Sequence, residues 1–325
     1  MAVKICLLTS QDLFADPFPA DDWPCDPRPF FEAEWHVEDL SSKDGPARVR
    51  ELAAQGFDLF FNLCDGAADE DRPGLEVVLT LEELGVPFTG ATSDCYEPTR
   101  VEMKEACARE GIATPAYVVA ETEADVERAA TELTFPLFVK HYSSYASVSL
   151  SRASRVATPA GLRRQARKIM NRHGKALIEE YIDGDEFTVL VAENPQDPES
   201  PTAYQPIKYD FPEGESFKHY AMKWVDFDDM ATSPVTDPEL DAKLRDTSTR
   251  FFRAIGGASF GRVDIRIDQA GNPFVLEINP NCGVYYAEDA YGGADLCLAA
   301  DPAGHVGFTQ QIIAAALARN GGGAA

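Results

Sequence analysis

The chain has 325 residues and a formal net charge of −25, which sets it against nucleic acid and anionic membrane as partners because those surfaces carry the same sign. Its hydrophobic fraction of 45% is that of a globular protein with room for two or three core-bearing lobes. No apolar run reaches the roughly 18 residues of a membrane span. The opening MAVKICLLTSQDLF is too short in its apolar part for a signal peptide. Seven cysteines, an odd number with no CxxC pair, point to reduced thiols and a cytoplasmic setting.

In chain order, Val3–Leu8 reads as a buried strand, followed by a Pro- and Asp-rich stretch from Asp12 to Pro29 with the character of a loop or lid. Trp35–Leu40 reads as a second strand, and Arg48–Gln55 as a helix ending at Gly56. Phe57–Leu63 is a third strand, leading into an acidic loop from Cys64-Asp65-Gly66 to Arg72-Pro73-Gly74. Leu75–Leu84 is an amphipathic helix closed by Gly85, and Val86–Gly90 a short strand. This alternation predicts a small open parallel α/β lobe, and without GxGxxG it carries no dinucleotide fingerprint.

Helices are expected at Thr99–Arg109, Glu123–Glu132, Gly161–Arg172 and Asp237–Ile255, and strands at Ile112–Val119, Phe135–His141, Ala176–Tyr181 and Glu186–Ala192. Between them lies a loop of Ser, Ala and Tyr from Tyr142 to Ser149. The basic helix near Arg163 is read as an exposed face, and His141, His219 and His305 as packing or solvent-facing histidines. The Gly/Ala tail is expected to be disordered.

The most informative stretch is GRVDIRIDQAGNPFVLEINPNCG, ending at Gly283, which alternates polar and apolar residues on both sides of a turn. A symmetric turn with Asp268 facing Pro273 sets Asp264 opposite Glu277 and Arg262 opposite Asn279. Those four side chains share one face, and Val263, Ile265, Leu276 and Ile278 point the other way. Opposed carboxylates weaken a sheet, so a hard cation such as magnesium between all-oxygen ligands accounts for the pattern. An ordinary hairpin with a solvated face is the alternative.

Five segments in order, FNLCDG…LEELGVPFTG, MKEACAREGIATP, PLFVKHYSSYASVS, ALIEEYIDGDEFTVLV and FGRVDIRID…FVLEINPNCG, resemble those of ATP-grasp ligases, most closely the D-alanine–D-alanine ligases. The resemblance covers about residues 55–283. It implies an α/β ATP-grasp fold: a parallel α/β lobe over residues 1–95, a central lobe over 96–182, a C-terminal lobe over 183–320 and a tail at 321–325. It further implies ATP and Mg2+ (or Mn2+) as cofactors, small-molecule carboxylate and amine substrates, and a homodimer.

Carried over residue by residue, Lys140 resembles the lysine that contacts the ATP phosphates, with Arg100 at the position of a second lysine and Lys223 at that of a third. Ser147 lies in the loop that closes over the triphosphate, where serines replace the usual glycines. Glu179, Glu180, Tyr181 and Ile182 match the adenine-binding strand, with Glu179 accepting from the amino group, and Glu186 matches the ribose acceptor. Asp264, Glu277 and Asn279 fall on the magnesium ligands, Arg262 on the arginine that stabilises the reacting carboxylate, and Gly283 on an oxyanion-site glycine. Tyr285 and Glu288 follow in the substrate region. Asp12 is the candidate for the glutamate that holds the first amino acid's amine.

The implied reaction is ATP-dependent amide formation through an acyl phosphate. Glu288 stands where the family places a serine that holds the second substrate's carboxylate. A glutamate would repel that group, so the expectation is an amino acid or small peptide substrate other than D-alanyl-D-alanine, with an amine lacking a nearby carboxylate, or a cationic or peptidic acceptor, fitting Glu288 and Asp289 better. Peptide modification by the same fold and nucleotide binding without ligation are the alternatives.

Overall fold

The computed structural model describes residues 2–10, 25–67, 70–143, 150–217 and 230–321. The first sheet has three parallel strands, with Lys4–Ser10 (β1) between Glu34–Leu40 (β2) and Leu59–Asn62 (β3). The unbroken run Ile5–Leu8 is buried on both faces, as a central parallel strand requires. Cys6 and Leu8 pack with Val49 of Gly45–Ala53 (α1) and with Val77 and Leu81 of Leu75–Leu84 (α2). Ile5 and Leu7 face the opposite core and meet Phe308 and Ile312 of the C-terminal helix. The expected strand at Val86–Gly90 is reduced to a single bridge between Phe60 and Phe88. Pro87 has no N–H to extend the ladder, although its carbonyl accepts from Phe60.

A second, antiparallel sheet orders Tyr117–Ala120 (β4), Ala176–Glu180 (β7), Leu137–His141 (β5) and Arg155–Val156 (β6). Glu123–Glu132 (α4) and Pro159–His173 (α5) cover it through Val126, Ala129, Leu162 and Ile169. Ahead of it, Arg100–Arg109 (α3) opens on a capping box between Thr99 and Glu102. Such a cap stabilises a helix by about 1 kcal/mol and sets the direction of its first residue, Arg100.

The third sheet runs Ala231–Pro234 (β11), Ile207–Asp210 (β10), Gly184–Ala192 (β8), Phe260–Asp268 (β12) and Pro273–Asn279 (β13), with Thr202–Ala203 (β9) on β8. Pro238–Ala254 (α6) packs Leu244, Phe251 and Phe252 onto Val189, Val263 and Ile278. The pairs Arg262–Asn279 and Asp264–Glu277 have the expected register, but a β-bulge after Asp264 shifts the rest, so Ile267, not Asp268, faces Pro273. The bulge leaves Leu276 half-buried and puts Val275 in the core in its place. Gly293–Ala300 (α7) and Gly304–Gly321 (α8) return the chain to the first sheet. The glycine- and alanine-rich end past Gly321 lies outside the described residues.

Candidate active site

The hairpin of β12 and β13 carries Arg262, Asp264, Glu277 and Asn279 in directly opposed pairs. Each carboxylate has its own arginine. Arg262 Nε lies 3.4 Å from Asp264 Oδ1, and Arg100 donates from Nε (3.1 Å) and Nη2 (2.9 Å) to Glu277 Oε2. Burial opposes the charge on Arg262, but the Asp264 carboxylate beside it prevails and holds the guanidinium above the usual arginine range. Thr188 of β8 donates to Asp264 Oδ1 at 2.7 Å, and Asn279 Oδ1 accepts from the Asn281 N–H at 3.0 Å. The donor chemistry fits magnesium: the three side chains offer oxygen only, and opposed carboxylates are held together by cations. Among the described residues no three His, Cys, Asp or Glu side chains converge as a metal site. Magnesium commonly takes one or two carboxylates plus substrate phosphates rather than an all-protein cage.

Behind this face three charges are buried together. Glu179 of β7 is 2% exposed, with Lys140 Nζ 2.7 Å from one oxygen and Lys104 Nζ 2.7 Å from the other. Lys104 also donates to Thr114 Oγ1 (3.0 Å) and to the Pro115 carbonyl (3.1 Å). Burial pushes the Glu179 carboxyl up, yet the two lysines overcome it and leave it at about 2. Burial draws Lys140 below the ordinary lysine range against the pull of Glu179. Glu179 thus organises cations; an adenine amino group would be an additional partner. Arg100, whose Nη1 donates to the His141 carbonyl at 3.0 Å, ties the end of the Lys140 strand to the hairpin.

At the end of β7, the N–H groups of Glu180 and Tyr181 bond to the Ala116 and Pro136 carbonyls. Two main-chain donors of the expected adenine-binding segment are thus already engaged within the protein. Glu180 accepts from the Thr134 N–H at 2.7 Å. Tyr181 lies between the guanidinium groups of Arg155 (4.7 Å) and Arg266 (4.6 Å) and donates to the Ser216 carbonyl. Buried Glu186 has Arg266 Nη1 at 3.6 Å. Lys104 and Arg266 were not among the expected site residues. Both were findable: Lys104 is four residues after Arg100 on one helical face, and Arg266 is two residues after Asp264 on one strand face.

Beyond the hairpin, Gly283 lines a cavity of about 70 Å³ with Asn281, Cys282, Val284 and Tyr286 on one side and Ser10, Asn62, Asp65 and Arg72 on the other. A Cβ at Gly283 would run into the Tyr286 ring, so the close approach requires glycine. Two expected substrate residues do not line this cavity. Tyr285 is 3% exposed, with its N–H on Asp295 Oδ1 (2.7 Å) and its hydroxyl on Thr309 Oγ1 (3.0 Å). It is a core residue, and Tyr286 takes the cavity position. Glu288 is solvent-exposed on a short 3-10 turn, which removes the repulsion that argued against an acceptor carboxylate. Burial pushes the Cys282 thiol up to about 12, away from nucleophilic use. His305 is buried and bonded to Asp295 at 2.9 Å. Asp12, Ser147, Lys223 and His219 lie outside the described residues.

A family model described as D-ala D-ala ligase C-terminus matches residues 107–286. The D-alanine–D-alanine ligase of Xanthomonas axonopodis pv. citri is 30% identical over 253 residues, 76% of this chain and 76% of that protein. That of Cupriavidus necator is 28% identical over 278 residues, 84% and 80% of the two chains. Among solved structures, the D-alanine–D-alanine ligase from Bacillus anthracis in complex with ATP superposes with a TM-score of 0.68 at 16% identity, covering 99% of both chains. The VanG D-Ala:D-Ser ligase from Enterococcus faecalis gives 0.67 at 13%, covering 97% of this chain and 100% of that one. These structures share the fold, which is that of an α/β ATP-grasp protein.

Proposed function

The chain belongs to the D-alanine–D-alanine ligase family, and we propose that it joins the carboxylate of one D-alanine to the amine of another at the expense of ATP. It is an ATP-dependent ligase that forms carbon–nitrogen bonds. The observation that carries the finer reading is the hairpin face, where Arg262 is set on Asp264 and Arg100 on Glu277, with Gly283 at the adjoining cavity. The expectation of another acceptor rested on Glu288, whose exposure withdraws the reason for it.

In this reading a substrate carboxylate oxygen attacks the γ-phosphorus, the bond to ADP breaks, and an acyl phosphate forms. The second amino acid, as the free amine, then attacks the acyl carbon. Its carbon–nitrogen bond forms as phosphate leaves, and the nitrogen loses a proton. Lys140 and Arg100 supply positive charge to the transferring phosphoryl group. Arg262 and the Gly283 amide face the oxygen that becomes negative at the acyl carbon; one such donor is worth about 3–4 kcal/mol. When bound, magnesium held by Asp264, Glu277 and Asn279 adds charge neutralisation at the triphosphate. The proposal includes the homodimer typical of the family, checked by light scattering.

The experiment is coupled ADP release with D-alanine, followed by a screen of amino acids and amines in pairs. Rapid ADP release with dipeptide formation is the expected result. ATP binding without ADP release on any pair would instead make the chain a nucleotide-binding protein. ADP release that hydroxylamine cannot intercept would make it a kinase.

A further inference from the structure

Asp295 of α7 takes no part in the chemistry above, yet it holds both ends of the segment that brings Tyr286 to the cavity. Its side chain is 0% exposed. Oδ1 accepts from the Tyr285 N–H at 2.7 Å, and Oδ2 accepts from the Gly292 N–H at 3.3 Å. The third donor is buried His305 of α8, whose Nε2 lies 2.9 Å from Oδ1. Three donors suit a carboxylate, which accepts at about four lone-pair sites. His305 is in turn packed against two rings, Phe30 at 4.9 Å and Tyr291 at 5.4 Å. Tyr285 has a φ of 73°, and a residue with a side chain persists there only where its surroundings overdetermine it. Two glycines approach the ring of the next residue. A Cβ on Gly283 would strike the Tyr286 ring and hydroxyl, and one on Gly292 would lie 3.3 Å from the same ring.

We propose that Asp295, steadied by His305, is a positioning residue. It sets the backbone at Tyr285 so that the Tyr286 ring stands against Gly283, where the ring limits the side chain of the amino acid whose carboxylate is activated; this rests on the ligase reading above. The left-handed turn at Tyr285 sends two adjacent tyrosines apart, Tyr285 into the core onto Thr309 and Tyr286 to the cavity. The N–H bonds to Asp295 hold that turn from residues 285 and 292. An asparagine amide in the same place would set an NH2 group against at least one of the three donors. In the ligase reading the Gly283 amide fixes where the reacting carboxylate lies. A ring in contact with that glycine therefore bounds the space left for the substituent on the adjoining carbon. Tyr286 sets the size limit, and Asp295 holds Tyr286 where it can do so.

The test supplies excess hydroxylamine as the amine and follows ADP release. It compares kcat/KM for D-alanine with that for D-2-aminobutyrate, which is longer by one methylene. A fitted pocket separates such a pair by about 10- to 200-fold. Tyr286→Ala is expected to lower the ratio about tenfold or more. Asp295→Asn should lower it roughly fivefold, the worth of about one hydrogen bond, with the KM for ATP unchanged in both variants. His305→Gln, whose side-chain amide can still donate to Asp295, should keep the ratio within about twofold, whereas His305→Leu should lower it as Asp295→Asn does. An active wild type that does not discriminate overturns the assignment alone, as does a ratio unchanged in Tyr286→Ala or in both Asp295→Asn and His305→Leu. An equal loss for the two amino acids in Asp295→Asn marks a purely structural role and also overturns it. Should Asp295→Asn not fold, the two His305 variants decide by the same ratio. A wild type that turns over no amino acid overturns the ligase reading and the assignment with it.

Discussion

Replacing Glu179 with glutamine leaves Lys104 and Lys140 facing each other as buried ammonium groups, each having lost a partner 2.7 Å away. Removing one member of a buried ion cluster costs about 3–5 kcal/mol, because the remaining charges cannot be resolvated. With roughly 2–4 °C of melting temperature per kcal/mol in chains of this order of size, Glu179→Gln should melt about 6–20 °C lower. Lys104→Met leaves the neutral pair Glu179–Lys140 and should cost less. The double variant, with only one buried ammonium, should be more stable than Glu179→Gln alone. The pH dependence has a definite sign. The folded carboxyl sits at about 2 against an ordinary 4.5, so its stabilisation is present above pH 4.5 and is lost as pH falls toward 2. That acid-side loss should be smaller in the glutamine variant. Thermal unfolding by circular dichroism at neutral and acid pH is the assay. A Glu179→Gln protein that melts with the wild type, or a double variant that loses the sum of the two singles, would refute the reasoning.

Asp264→Asn and Glu277→Gln should each abolish ADP release while keeping the fold. Either change also takes the ion partner of a largely buried arginine, Arg262 or Arg100, so stability should fall by up to about 3–5 kcal/mol; retained activity in both would break the assignment. Glu288→Ala should leave kcat/KM within about twofold and stability within about 0.5 kcal/mol, as for a surface residue without partners in the site. Tyr285→Phe deletes the bond to Thr309 and should cost about 1 kcal/mol of stability with no change in the D-alanine KM. A kinetic defect in a stable Tyr285→Phe would return that residue to the substrate site.

The elements that could be read in advance are those whose pattern is local. The apolar run of β1, the amphipathic α2 and the polar alternation of β12 each declare themselves within a few residues. The end of the hairpin that carries Asp264 and Glu277 was legible because opposed carboxylates demand an explanation. Its turn was not, because a bulge relocates one residue without changing the alternation that flanks it. The adjacent tyrosines of GVYYAE illustrate a second limit. Tyr285 adopts a φ of 73°, which turns its ring into the core and gives the cavity to Tyr286, and no periodicity anticipates a left-handed tyrosine. Glu179 shows a third. A glutamate near the end of an apolar strand reads as solvated, and only Lys140 on a neighbouring strand and Lys104 on a distant helix together make it a buried anion. The pairing of Asp65 with Arg72 likewise depends on the loop closing through Gly66 and Gly74.

The central claim is that a substrate carboxylate is activated by phosphoryl transfer at the hairpin face. It is tested most directly with D-alanine carrying heavy oxygen in its carboxylate. If the carboxylate attacks the γ-phosphorus and the acyl phosphate then yields to the amine, one labelled oxygen must leave with each phosphate released. Mass analysis of the phosphate should show that single transferred label in step with dipeptide formation. Dipeptide formed with unlabelled phosphate would contradict the account.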